Sequence, residues 1–245
     1  MTSANKQTSP APGALILIPV ALGEAPWQDF LPATVQHRAA GIRHFVVETA
    51  RAARAHLKQL DFPSVLRDTD IRELAADADQ TALDTLLAPA LAGEDVGLMS
   101  DAGCPAVADP GARLVARAHE IGLKVVPQVG PSSILLALMG SGLNGQSFAF
   151  HGYLPVEEAP RDKQLRALET ESQRLQRTQI FIETPYRNER LFAALLRVCQ
   201  PRTRLTVARD LTTADEYLHT RSIADWRHTP TPALAKRPAL FLLLG

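Results

Sequence analysis

The chain has 245 residues with 26 Lys+Arg against 26 Asp+Glu, 46% hydrophobic and 21% charged positions, ordinary globular proportions with length for one large or two small domains. These figures exclude a disordered chain, a collagen and a disulfide scaffold, and formal neutrality excludes a nucleic-acid binder that works by bulk positive charge. The charge is uneven along the chain: residues 1–122 carry 10 basic and 15 acidic side chains, residues 123–245 carry 16 and 11.

In chain order, Met1 to Gly13 is polar and reads as a loose tail, not a signal peptide. Short runs rich in Val, Ile, Leu and Phe then predict strands at Ala14–Pro19, Arg43–Glu48, Asp95–Ser100, Leu123–Val129, Phe148–Leu154, Thr178–Glu183, Arg204–Arg209, Glu216–Ser222 and Pro238–Leu244. Helical spacing of apolar residues predicts helices over Ala50–Leu60, Asp162–Leu175 and Glu189–Val198, with further helices between most of the strands. The alternation specifies an α/β fold, with parallel strands first and antiparallel pairs in the second half. The expected organisation is a tail over 1–13, an N-terminal α/β domain over 14–125 and a C-terminal α/β domain over 126–245. No run approaches the roughly 20 apolar residues of a membrane span, so a soluble protein is expected, and two cysteines, too few for a secreted disulfide framework, suggest a reduced cytoplasm. Two distant cysteines, Cys104 and Cys199, and histidines without ligand spacing predict no metal site.

Gly140-Ser-Gly142-Leu-Asn-Gly145 matches GxGxxG, but a helix precedes it and a strand follows it, the reverse of a dinucleotide fingerprint. These glycines are read as a helix stop and a turn. Three other segments have the composition of ligand loops. Met99 to Gly111 follows a buried-type strand, with Gly103 and Gly111 for unusual backbone geometry and Asp109 as a cap for the next helix. Gly130-Pro-Ser-Ser133 offers small hydroxyls and free amides at a helix start. Phe181 to Arg187 ends a strand, with Thr184 expected to cap and Pro185 to open the following helix, leaving Glu183, Tyr186 and Arg187 as polar contacts.

At these loops the chain resembles the tetrapyrrole methylase superfamily, the class III S-adenosylmethionine-dependent methyltransferases. Within that superfamily it is similar to the small-subunit ribosomal RNA (cytidine-2'-O)-methyltransferase group. The resemblance runs from Leu15 to about Leu244, on SDAGCPAVADPG (Ser100–Gly111), VVPQVGPSS (Val125–Ser133), FHGYLP (Phe150–Pro155), ETPYR (Glu183–Arg187), ARDLT (Ala208–Thr212) and KRPALFLLLG at the end. It implies the tetrapyrrole methylase fold, two α/β domains with the cofactor cleft between them, in a homodimer. It implies that S-adenosylmethionine lies against Ser100, Asp101, Ala102, Gly103, Ser132, Ser133, Tyr153, Leu154, Glu183, Thr184, Pro185, Tyr186, Pro238 and Ala239. Where the group reads PTPIGN, EDTR and ARELTK, this chain has PVALGE (Pro19–Glu24), ETAR (Glu48–Arg51) and ARDLTT (Ala208–Thr213).

The reaction that follows is transfer of a methyl group to a ribose 2'-hydroxyl of 16S ribosomal RNA, on RNA or on the small ribosomal subunit. The hydroxyl proton needs an acceptor, for which Glu48, Asp101 and Glu183 stand as candidates, with Arg51 and Arg209 to orient a phosphate or stabilise an oxyanion. The catalytic set is taken as Glu48, Arg51 and Asp101. Other readings are a methyltransferase with a small acceptor such as a tetrapyrrole, or a cofactor-binding module without catalysis. Arg161, Lys163, Arg166, Arg174 and Arg177 lie on or directly beside the helix predicted at Asp162–Leu175, read first as a solvated face partnered by Glu169 and Glu171 and second as an RNA-facing stripe. His151 is read as a histidine satisfied by polar neighbours, and Cys104 as a small residue of its loop.

Overall fold

The computed structural model describes residues 11–62 and 69–245, so residues 1–10 of the expected tail lie outside the described residues. At its inner end Gly13 is already anchored, its amide donating to the Ala90 carbonyl at 2.8 Å. The chain divides into two compact units, residues 11–21 with Ala25–Pro131 among those described, and Leu22–Glu24 with Ser132–Gly245.

The first unit holds a five-stranded parallel sheet in the order β3-β2-β4-β1-β5, from β1 (Ala14–Leu17), β2 (His44–Val47), β3 (Asp70–Glu73), β4 (Val96–Met99) and β5 (Lys124–Pro127). Parallel strands need crossovers, supplied by α1 (Ala33–Ala40), α2 (Ala50–Gln59), α3 (Gln80–Leu91) and α4 (Gly111–Glu120). Side chains alternate across a strand, so Ile16, Phe45 and Val47 pack with Leu57 on one face, and Leu15, Val46 and Leu98 with Leu87 and Leu114 on the other. Burial on both faces explains the continuous apolar strands. A Cβ at Gly97 would come within 2.8 Å of the Phe45 ring, so close packing on β4 demands glycine there.

β5 pairs with β1 over Ala14–Leu17, which ties residues 124–127 to the first sheet. The boundary expected at 125/126 therefore falls later, between Pro131 and Ser132. β3 was not foreseen: Asp-Ile-Arg-Glu is a polar edge strand with one neighbour and lacks the apolar run that marks buried strands.

The second unit holds a mixed sheet in the order β6-β7-β10-β8-β9, from β6 (Phe148–Tyr153), β7 (Thr178–Glu183), β8 (Arg204–Arg209), β9 (Tyr217–Ser222) and β10 (Ala239–Leu244). β6 and β7 are parallel and the other pairs antiparallel. Every residue of central β10 is buried. Phe181 and Phe241 stack at 6.1 Å beneath α6 (Glu158–Leu175), α7 (Asn188–Val198) and the short α8 (Ile223–Arg227), while Ile180, Leu240 and Leu242 face α5 (Ser133–Ser141). α5 stops at Gly142 in the left-handed conformation (φ 66°), as expected of a helix-ending glycine and not of a dinucleotide loop.

Candidate active site

In the first unit, parallel strands bring the ends of β1, β2, β4 and β5 to one edge of the sheet, where ligand loops of open α/β sheets lie. The loop after β4 is built around Asp109. Its carboxylate accepts from Ala106 N at 3.0 Å and from Gly111 N, the first residue of α4, at 2.7 Å. This latch holds Ala106 (φ 66°) and Ala108 (φ 63°) in left-handed backbone that costs about 1–2 kcal/mol per non-glycine residue. Gly103 (φ 71°) takes the same conformation, and its carbonyl accepts from Val20 N at 2.9 Å. Ser100 is buried and donates to the Ala102 carbonyl at 3.1 Å.

Two of the residues singled out from sequence, Glu48 and Asp101, meet here with two that were not, Thr49 and His56. Asp101 N donates to Glu48 Oε2 at 3.1 Å, and Asp101 Oδ1 accepts from Thr49 N at 3.1 Å and Thr49 Oγ1 at 2.9 Å. His56 Nε2 donates to the Asp101 carbonyl at 2.9 Å. Thr49 caps α2 and His56 follows seven residues later, two turns along the same face, so helical spacing is the signal that would have found the pair. Burial, reinforced by the Asp101 and Asp109 charges, pushes the Glu48 carboxyl above its usual range, although the bond from Asp101 N opposes this. Arg51 is exposed at the start of α2 and makes no ion pair or hydrogen bond among the described residues, so it does not join this cluster. The Cys104 thiol donates to the Pro131 carbonyl at 3.3 Å, and burial raises its pKa, which fits a packing role.

In the second unit, Ser132 and Ser133 open α5 without a side-chain cap, leaving two hydroxyls and the first helical amides unengaged among the described residues. Tyr153 and Tyr186 are exposed, at 57% and 82%. A second group meets where β7 ends and β10 begins. Ala239 pairs with Glu183, Pro185 O accepts from Lys236 N at 3.0 Å, and Pro238 O accepts from Asp210 N at 3.2 Å.

Several expectations for this unit need correction. Thr184 does not cap a helix: its carbonyl closes a turn to Arg187 N at 2.9 Å and α7 begins only at Asn188, because Glu183 captures the local donors. The Glu183 carboxylate is buried and accepts from Thr184 N at 2.6 Å and from Arg187 Nη2 at 2.6 Å, so it braces the turn and is not free to act as a base. Leu154 and Ala239 turn their side chains into the core, leaving only backbone for a ligand. Arg209 is bound to Asp210 at 2.6 Å and lies 5.1 Å from the Tyr217 ring, which removes it from the free cations. His151 Nε2 meets Gln179 Oε1 at 2.6 Å, the satisfied histidine expected. No group of His, Cys, Asp and Glu suited to a metal occurs among the described residues.

Comparison with known proteins adds to this geometry. The profile of the Tetrapyrrole (Corrin/Porphyrin) Methylases matches residues 41–226. The chain is 39% identical over 143 residues to "Ribosomal RNA small subunit methyltransferase I" of Mesorhizobium japonicum, covering 57% of this chain and 47% of that protein. A protein of the same name from Micromonospora olivasterospora is 34% identical over 204 residues, covering 83% of this chain and 61% of the relative. The chain thus spans about half the length of the first of these relatives. The crystal structure of the methyltransferase CobJ shares the fold, with a TM-score of 0.63 at 17% identity over 95% of this chain and 94% of that one. On the breadth of the profile match, the chain belongs to the tetrapyrrole (corrin/porphyrin) methylase family.

Proposed function

We propose that this protein is an S-adenosylmethionine-dependent methyltransferase that modifies a ribose 2'-hydroxyl of small-subunit ribosomal RNA, acting as a cytoplasmic homodimer. The observation that carries the reading is the locked Ser100–Gly103 loop. Four hydrogen bonds with Glu48, Thr49 and His56 preorganise it around Asp101, whose Oδ2 has no partner among the described residues. The names of the relatives support RNA as acceptor.

The donor set suits the cofactor. In the first unit the Asp101 carboxylate matches an ammonium or ribose hydroxyls. In the second unit, taken by itself, the unengaged hydroxyls and amides at the start of α5 match a carboxylate. When bound, S-adenosylmethionine would supply a methyl group on a positively charged sulfur, already a good leaving group. What the chain must add is alignment of the acceptor and a place for its proton. Glu48, whose carboxyl burial raises above its usual range, is the better base, and Arg51, without a partner among the described residues, is suited to a phosphate beside the acceptor ribose. The Ser100–Gly103 backbone, Tyr153 and the Glu183–Tyr186 turn remain proposed neighbours of the cofactor.

Labelled cofactor offered with small ribosomal subunits from a strain lacking the protein is expected to deliver label to RNA. Arg51→Ala should lower transfer by about tenfold or more while sparing cofactor affinity. Unchanged turnover in that variant would remove Arg51 from the acceptor side. The family's description favours one second reading, a tetrapyrrole-like acceptor, which label in a small organic molecule and none in RNA would establish.

A further inference from the structure

In sequence, α6 is charge-balanced, with Arg161, Lys163, Arg166 and Arg174 against Glu158, Asp162, Glu169 and Glu171. Folding sorts these charges. Asp162 is buried and pairs with Arg197 at 2.8 Å, which also takes Glu158 at 3.0 Å. Glu169 is buried under the helix and accepts from Gln200 N at 2.8 Å and Thr203 Oγ1 at 2.5 Å. Glu171 accepts from Gln179 Nε2 at 3.1 Å and faces Arg177 at 3.7 Å. Arg161 is itself buried. Glu171 thus partners one of the cations, Arg177, as the sequence reading expected, whereas Glu169 is withdrawn beneath the helix and partners none of them.

What α6 leaves on its outer side is Lys163, Arg166 and Arg174, all exposed and without an ion pair among the described residues. Arg166, Thr170 and Arg174 recur every fourth residue, a line spanning about 12 Å along the axis, and Lys163 extends it by most of a turn. Arg166 and Arg174 border a shallow depression of about 540 Å³ with Ala167, Leu168, Thr170 and Glu171. The exposed neighbours Ala167, Thr170 and Gln173 include no aromatic or large apolar group of the kind that anchors a protein interface. Nor is there a ring on which a base could stack.

We infer that the Lys163, Arg166 and Arg174 face of α6 holds the sugar–phosphate backbone of the RNA, an assignment that rests on the ribosomal RNA acceptor proposed above. A line of exposed cations without a stacking ring suits a linear array of phosphates and reads no sequence. It also shows how a protein of zero net charge can engage a polyanion: Asp162 and Glu169 are buried beneath α6, and Glu171, at the border of the depression, is paired with Arg177.

The test is fluorescence anisotropy of a labelled mixed-sequence RNA oligonucleotide across a salt series, with wild type and a Lys163→Ala, Arg166→Ala, Arg174→Ala variant. The expected result is a binding loss of about tenfold and a slope of log affinity on log salt lower by about 2, since each single-strand contact contributes about 0.7. Arg166→Lys with Arg174→Lys should restore the slope, because charge and not shape is used. Cofactor affinity by calorimetry should not change in any variant. An unchanged slope in the triple variant would overturn the assignment while leaving the methyltransferase reading intact. Wild-type protein that binds cofactor but no RNA would overturn both the assignment and the RNA acceptor. A change of oligomeric state in the triple variant, with RNA binding intact, would reassign the face to a second copy of the chain.

Discussion

Asp109 shows how much of the loop after β4 rests on one side chain. Asp109→Ala removes the acceptor for Ala106 N and Gly111 N and frees two alanines held at positive φ, so a loss of about 1–3 kcal/mol by chemical denaturation is expected. Cofactor affinity should fall with it. Glu48 gives a pH signature. Its residue reaches the surface, yet part of it lines a small void with Leu74, Leu98 and Met99, and its folded pKa lies above the unfolded value. Between those two values the folded chain keeps a proton that the unfolded chain has released, so stability falls as pH rises through the window. Urea melts from about pH 4 to 7 should show this slope in wild type and not in Glu48→Gln; parallel profiles would contradict it. Cys199, pushed up to about 12 by burial and the Glu169 charge, should resist alkylation at pH 8 until the chain unfolds.

Among the elements, legibility followed burial. Strands buried on both faces announce themselves as apolar runs, which is why β10 and β4 were read almost to the residue. β3, polar and at an edge, carries no such signal. Helix starts were harder to place. α6 begins at Glu158, four residues before the predicted start, because Pro160 within its first turn needs no amide donor and looks from sequence like a break. Thr184 has the chemistry of a cap, but Glu183 and Arg187 close a turn first, a competition that spacing alone does not reveal. α8, only five residues long, is held by Ile223 and Trp226. Trp226 is buried, donates from Nε1 to the Leu205 carbonyl at 2.8 Å and meets Phe192 edge-on at 5.5 Å. Trp226→Ala should cost about 3–5 kcal/mol, and a loss under about 1 kcal/mol would mean that α8 is dispensable to the second unit.

Across the whole molecule, composition and alternation were enough for the α/β class, and motif order for the family. The networks within each unit were not legible, because they depend on which charged groups folding buries together. Glu183 and Arg209 look like catalytic candidates in sequence and prove to be braces, whereas Thr49 and His56 look incidental and hold Asp101. The exposed cations of α6 become a distinct face only once Asp162 and Glu169 are seen to be buried. Each of these outcomes is set by tertiary partners that a linear sequence does not display.

Cofactor binding by this chain is tested most directly by titration calorimetry with S-adenosylmethionine and S-adenosylhomocysteine. Micromolar binding by wild type, lost in Ser132→Trp and in Gly103→Val, where a β-branched residue would be forced to φ 71°, is the expected result. Absence of binding in wild type, or wild-type affinity in both variants, would contradict it.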